Sequence, residues 1–338
     1  MKQNFLPSLI LVLCITEPSF AEKNVEFTLE PFISHNFGHT EYIMYYRIPT
    51  VEGIYLVKSE LEFPLDVIMA GAQIGLRSTK NALHAWSIRG GYFTNVADPG
   101  GIMKDHDWET VWRLVGQDTA IYWGEVEKFS YTESDVAMRS TQLSVEGFLR
   151  VLHKRGFGLD LWGGFRYQKI SQDILGYDGW QLQRDSDGGA RKINVAGTEP
   201  AIDYWISYKS PFIGLRSSVR LATPVDLETK AAFAPVWISD FDDHLLRHKI
   251  GTASITGSGV LSGVSLILHL PGNASVHPLA VVTSDITYFH ASGNQTQEWY
   301  GDDPASPNDD DTGTILPGVP HKINTFQFNV GLRVGFAF

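Results

Sequence analysis

Phe326-Gln327-Phe328-Asn329-Val330-Gly331-Leu332-Arg333-Val334-Gly335-Phe336-Ala337-Phe338 closes the chain. Every even position in this stretch is apolar, and every odd position is small or polar. Successive side chains of a strand point to opposite faces of its sheet. One face is therefore continuously apolar, while the other offers Gln327, Asn329 and Arg333. Lipid outside and a wet lumen inside demand that pattern of a membrane-spanning strand. Ending such a strand on Phe338 resembles the signal read by outer-membrane assembly machinery. The alternation predicts a barrel, and the terminus predicts the outer membrane.

The same grammar recurs upstream. Leu143, Val145, Gly147, Leu149 and Val151 alternate with Ser144, Glu146, Phe148 and Arg150. Leu159, Leu161, Gly163, Phe165 and Tyr167 alternate with Asp160, Trp162, Gly164, Arg166 and Gln168. Charges such as Glu146, Asp160 and Arg333 are costly against lipid and natural against water; Arg139, Arg150, Arg166 and Arg333 are expected to pair with carboxylates inside the barrel. Turn chemistry falls at Lys80-Asn81, His153 to Gly156, Thr223 to Asp226 and Pro271-Gly272-Asn273. Longer polar stretches lie between, at 47–53, 95–128, 173–199, 239–249 and 291–321. This spacing predicts an all-β chain: a ten-stranded antiparallel transmembrane β-barrel with long extracellular loops and short periplasmic turns. Several strands exceed the roughly ten residues that cross lipid, so the barrel should project above the membrane.

Composition narrows the class. The 338 residues carry a net charge of −11, which excludes a nucleic-acid-binding surface. With 9 Trp, 13 Tyr and 19 Phe the chain is too aromatic to be disordered. Beyond the N-terminus no apolar run reaches the length of a transmembrane helix. Residues 1–21 read as a cleaved signal peptide: Lys2, then the apolar Phe5 to Thr16, then Ser19-Phe20-Ala21. Residues 22–338 form one barrel domain. Cleavage removes Cys14, the one cysteine, so neither disulfide nor thiol chemistry is expected.

Two stretches carry unusual acid patterns: Lys104-Asp105-His106-Asp107-Trp108 and Ser239-Asp240-Phe241-Asp242-Asp243-His244. In extended chain a spacing of two puts side chains on one face, so Asp105 pairs with Asp107 and Asp242 with His244. Facing each other across a barrel mouth, two such pairs would hold a water between carboxylates and an imidazole. Asp242 would orient the ring, and His244 would take the proton. The same donors suit a divalent cation, so a metal-dependent hydrolase stays open at this stage. Asp302-Asp303 and Asp309-Asp310-Asp311 read as a solvated loop, and Asp185-Ser186-Asp187-Gly188 as a turn.

These residues resemble the omptins, the outer-membrane aspartyl-type proteases of Gram-negative bacteria. The resemblance rests on Met103 to Trp108, on Trp237 to Asp240 and on Asp242-Asp243-His244. Gly164 to Gln168, Pro211 to Leu215 and Gly331 to Phe338 fall in the matching strands. It implies an aspartyl-type endopeptidase with its site at the extracellular mouth, in which Asp105, Asp107, Asp242 and His244 activate a water for direct attack on a peptide bond. It implies cleavage next to basic residues, held by Asp240 and by a second acid near Glu41, although the ungapped match is Tyr42. It further implies lipopolysaccharide as an activating lipid, bound through Lys169 and Phe165, with Tyr167 and Ser207 departing from the family pattern. No metal or organic cofactor is expected. The expected partners are extracellular cationic peptides or proteins and outer-membrane lipid, with the chain a monomer. The rival readings are an adhesin or structural barrel that only binds, and a narrow pore.

Overall fold

In the computed structural model Phe326, Val330, Leu332 and Val334 face outward, while Gln327 and Arg333 point into the barrel. The structure describes residues 25–50, 53–78, 84–97, 101–115, 120–184, 190–272, 276–304 and 310–338. The signal segment, the Lys80-Asn81 turn, Asp185 to Gly188 and Asp309 lie outside the described residues.

Twelve antiparallel strands make one sheet: β1 (Val25–Thr50), β2 (Gly53–Pro64), β3 (Val67–Ser78), β4 (Trp86–Asn95), β5 (Ile102–Val115), β6 (Ala120–Lys154), β7 (Phe157–Arg184), β8 (Ala190–Ala222), β9 (Val225–His244), β10 (Lys249–His269), β11 (His277–Trp299) and β12 (Ile315–Ala337). β12 also pairs with β1, which closes the ring. Going round, β3 and β4 fill the places between β1 and β6 at one end, and β2 and β5 fill them at the other. Ten strands therefore surround the lumen at either level, as the turn count predicts. The number is twelve because two strands are each broken in the middle.

The first break follows Pro64, whose nitrogen has no hydrogen to give a ladder. There β1 changes partner: His39 faces Pro64, whereas Asn36 faces Val67. Gly38 sits at the changeover with φ of 139°, and a Cβ there would meet the Phe326 carbonyl of β12.

Much of the polar sequence expected as loop is strand. β6, β7 and β8 run for 35, 28 and 33 residues, far beyond the roughly ten that cross lipid. Backbone ladders do not require apolar side chains, so the hairpins continue past the membrane where both faces meet water. The apolar outer band ends near Phe37, Trp237, Tyr288 and Phe326.

Inside that band, charge is neutralised pairwise. Asp160 is held by Arg150 at 2.5 Å and by Arg216 at 2.5 Å. Arg333 lies 3.2 Å from Glu30, and Lys230 lies 2.9 Å from Asp285. Arg166 donates to Thr287 Oγ1 at 2.9 Å. Arg166 thus meets a hydroxyl rather than the expected carboxylate, and Arg139 points outward and meets Asp173 at 3.2 Å on the outer surface, because its position shares the outward parity of Leu143 and Val145 on β6.

Above these ion pairs the lumen is filled. Tyr208 hydrogen-bonds with Thr40 at 3.1 Å and Thr325 at 2.8 Å. Phe63 stacks on Tyr204 with ring centres 4.0 Å apart, and Tyr42 meets Tyr204 edge-on at 5.9 Å. Small barrels are commonly filled by side chains. Here the filling forms a floor, and the groove lies on it.

Candidate active site

Inward parity fixes which residues reach the groove. On β9 the even positions point inward, so Asp240 and Asp242 are buried. His244 ends the strand, just before the 3₁₀ turn Leu245–Arg247. His244 Nε2 lies 3.3 Å from Asp242 Oδ2, which is ion-pair distance, and it makes no hydrogen bond among the described residues. Tyr42 crosses the lumen from β1 and donates its hydroxyl hydrogen to Asp242 Oδ2 at 2.5 Å. Gln295 of β11 donates to the Tyr42 hydroxyl, and its Nε2 is 3.4 Å from Asp242 Oδ1. Gln297 donates to the Tyr46 hydroxyl at 2.7 Å.

Asp105 and Asp107 share one parity of β5. Going round the ring, β5 is four strands from β9 in one direction and six in the other. The two pairs therefore stand on nearly opposite walls, as expected.

Electrostatics separate their roles. Burial alone would raise the Asp242 carboxyl, but the adjacent His244 ring, with the Tyr42 hydroxyl, brings it down to about 2. Burial lowers His244 below its ordinary value, and the Lys249 ammonium lowers it further, against the opposing pull of Asp242. The dyad is thus an ionised carboxylate beside a neutral imidazole at neutral pH. Burial and the neighbouring Asp107 push Asp105 well up; burial also raises Asp107, against a hydrogen bond from Ser59. Two close carboxylates in one buried site favour sharing a proton.

The specificity residues land differently. Asp240 is buried, and its Oδ2 lies 3.0 Å from His321 Nε2. Glu41 has outward parity on β1: it accepts a hydrogen bond from Asn324 at 2.8 Å and lies 3.6 Å from His39. Tyr42 takes the inward place, since one residue along a strand reverses the face. Phe165 and Lys169 stand on the outer surface of β7, and Lys169 Nζ lies 5.0 Å from the centre of the Trp205 ring. His106 also faces out, stacking on Trp108 at 5.4 Å.

Motif reading missed Lys249, Gln295 and His321. Parity could have pointed each inward, but nothing in sequence tells which opposite wall it will meet. Lys249 opens β10 opposite His244 and is buried. Burial, and then the Arg247 charge, lower its ammonium to about 8. Among the described residues no group of three or more His, Cys, Asp or Glu could hold a metal.

A family model described as the Omptin family matches residues 59–273. No curated protein matches the chain. Among solved structures, the outer membrane protease OmpT from Escherichia coli superposes with a TM-score of 0.66 at 14% identity, over 93% of this chain and 97% of that one. The toluene transporter TodX of P. putida reaches a TM-score of only 0.23 at 11% identity, over 95% of this chain and 91% of that one. A FadL homologue of Pseudomonas aeruginosa reaches 0.21 at 7%, over 93% and 89%.

Proposed function

The chain belongs to the omptin family, and from that premise we propose that it is an outer-membrane endopeptidase whose site faces the extracellular side. The barrel it shares with an outer membrane protease supports this reading. In the proposed mechanism Asp242 stays ionised and holds one edge of the His244 ring, while the ring takes a proton from a water. Asp105 and Asp107, on the facing wall, position that water. Their shared proton goes to the oxygen of the tetrahedral intermediate, which stabilises developing charge in a desolvated groove. His244 then returns its proton to the leaving amine as the C–N bond breaks, and the new hydroxyl gives its proton back to the aspartate pair. This is acyl transfer directly to water, with no nucleophilic side chain and no metal.

The observation that carries the proposal is the 3.3 Å approach of His244 to a buried Asp242 whose carboxyl is held at about 2. Binding alone does not call for an imidazole kept neutral beside a carboxylate kept ionised. An adhesin is therefore the weaker reading, and the filled floor weighs against a passive pore.

Lipid contact is proposed on the outer wall. Phe165, Lys169 and Trp205 lie there close to the end of the apolar band, where an aromatic and cationic surface suits a phosphorylated glycolipid such as lipopolysaccharide.

The test uses the refolded barrel in detergent with and without lipopolysaccharide, with EDTA throughout, against a quenched peptide library. Cleavage by the parent and not by His244→Ala supports the proposal, and dependence on the glycolipid supports the lipid site. A heat-modifiable barrel that cuts no peptide under either condition sinks it.

A further inference from the structure

A lysine or arginine side chain is bound well only by a carboxylate that it can reach and that no other group already holds. Asp240 fails both conditions. Its side chain and that of His321 are 0% exposed, with Oδ2 and Nε2 3.0 Å apart. The imidazole is fixed from its other edge, since His321 Nδ1 lies 3.3 Å from the Ile43 carbonyl. Tyr42 covers it, with ring centres 4.4 Å apart. Asp240 Oδ1 has no hydrogen bond among the described residues, yet it is sealed in as well. A guanidinium could reach it only after His321 had moved.

Other inward acids are engaged as well. Asp242 is held by Tyr42 and His244, and Asp303 by Arg247 at 2.7 Å. Asp105 and Asp107 face each other's charge. Glu41 is on the outer wall. The groove meanwhile carries its own cations: Arg247 and the buried Lys249, whose Nζ lies 5.8 Å from the centre of the Trp299 ring. A basic substrate side chain would meet the charges of Arg247 and Lys249, while Asp240, Asp242 and Asp303 already have partners. An uncharged one leaves every buried ion pair intact.

We infer that His321 occupies the place a substrate cation would take at Asp240, so that the residue bound beside the cleaved bond is uncharged. The inference rests on the protease reading, and it replaces the basic-residue preference that the resemblance implies.

The experiment measures kcat/KM over peptides that differ only in the residue before the cut. The parent is expected to cleave uncharged residues better than Arg or Lys. Asp240→Asn is expected to change that ratio by less than about 3-fold, because the residue meets no substrate charge. His321→Ala, which uncovers Asp240, should raise the relative cleavage at Arg and Lys by about 10-fold or more. A parent that prefers Arg or Lys, with Asp240→Asn lowering that cleavage selectively by about 100-fold, would overturn the inference.

Binding decides the matter even where nothing is cut. Paired arginine and citrulline peptides, matched in shape but not in charge, are titrated by fluorescence anisotropy onto the His244→Ala barrel. Citrulline binding at least as tightly supports the inference, and clearly tighter arginine binding overturns it. Loss of all cleavage by the parent would instead strike the protease reading. Heat-modifiable migration of each variant establishes that it has folded.

Discussion

His244 can take a proton only while it is neutral, and Asp242 can orient it only while ionised. Burial serves the first condition, because it disfavours imidazolium, and Lys249 reinforces it. His244→Ala and Asp242→Asn should each lower kcat about 10³-fold while leaving a folded barrel. Peptide hydrolysis beside heat-modifiable migration checks both, and full activity in either variant excludes the dyad. The sign of the pH dependence follows from His244. Since its pKa lies below the ordinary 6.5, kcat/KM should rise with pH along a limb centred below that value. Lys249→Met removes a positive charge that opposes imidazolium, so the limb should move to higher pH. A pH profile measured on both proteins decides this, and an unmoved limb would show that Lys249 has no electrostatic hold on the dyad.

Strands act here as rulers. Their parity delivers Asp105, Asp107, Asp240 and Asp242 to the lumen, and their length lifts the site clear of the apolar band. At the opposite end Asp160 ties β6, β7 and β8 together through Arg150 and Arg216. Both guanidiniums are largely buried, so Asp160→Asn leaves Arg150 without its carboxylate and Arg216 with Glu228 alone, 3.4 Å away. Removing one member of such a buried set costs about 3–5 kcal/mol. The urea midpoint of refolded barrel should fall accordingly, while the activity of what remains folded is retained, because the site lies at the other end. Strand β1 carries a comparable constraint at Gly38, where positive φ and the approach of Phe326 exclude a side chain. Gly38→Val should therefore lower the yield of heat-modifiable barrel.

Across the whole molecule, the closed ring gives each strand a partner on both sides. A chain without disulfides thereby avoids exposed sheet edges. Closure also brings β1, β11 and β12 against β9, which is how Tyr42, Gln295 and His321 reach the two β9 aspartates. Because the proposed chemistry runs through side chains alone, millimolar EDTA should leave hydrolysis within about 2-fold of its untreated rate. Loss of activity that added zinc or calcium restored would make the site metallic.

Sequence alone determined what depends on period and parity: the membrane-crossing stretches of the strands, the barrel, and the shared face of Asp105 with Asp107 and of Asp242 with His244. A spacing of two is a local property of extended chain, so it survives whatever the rest of the molecule does. It could not determine contacts across the lumen, because these join residues such as Asp240 and His321, or Tyr42 and Asp242, from strands far apart in the chain. Motif matching gave Asp240 and Glu41 to the substrate. In the tertiary structure Glu41 lies on the outer wall and His321 closes over Asp240, since a buried carboxyl left without a hydrogen-bonding partner is costly.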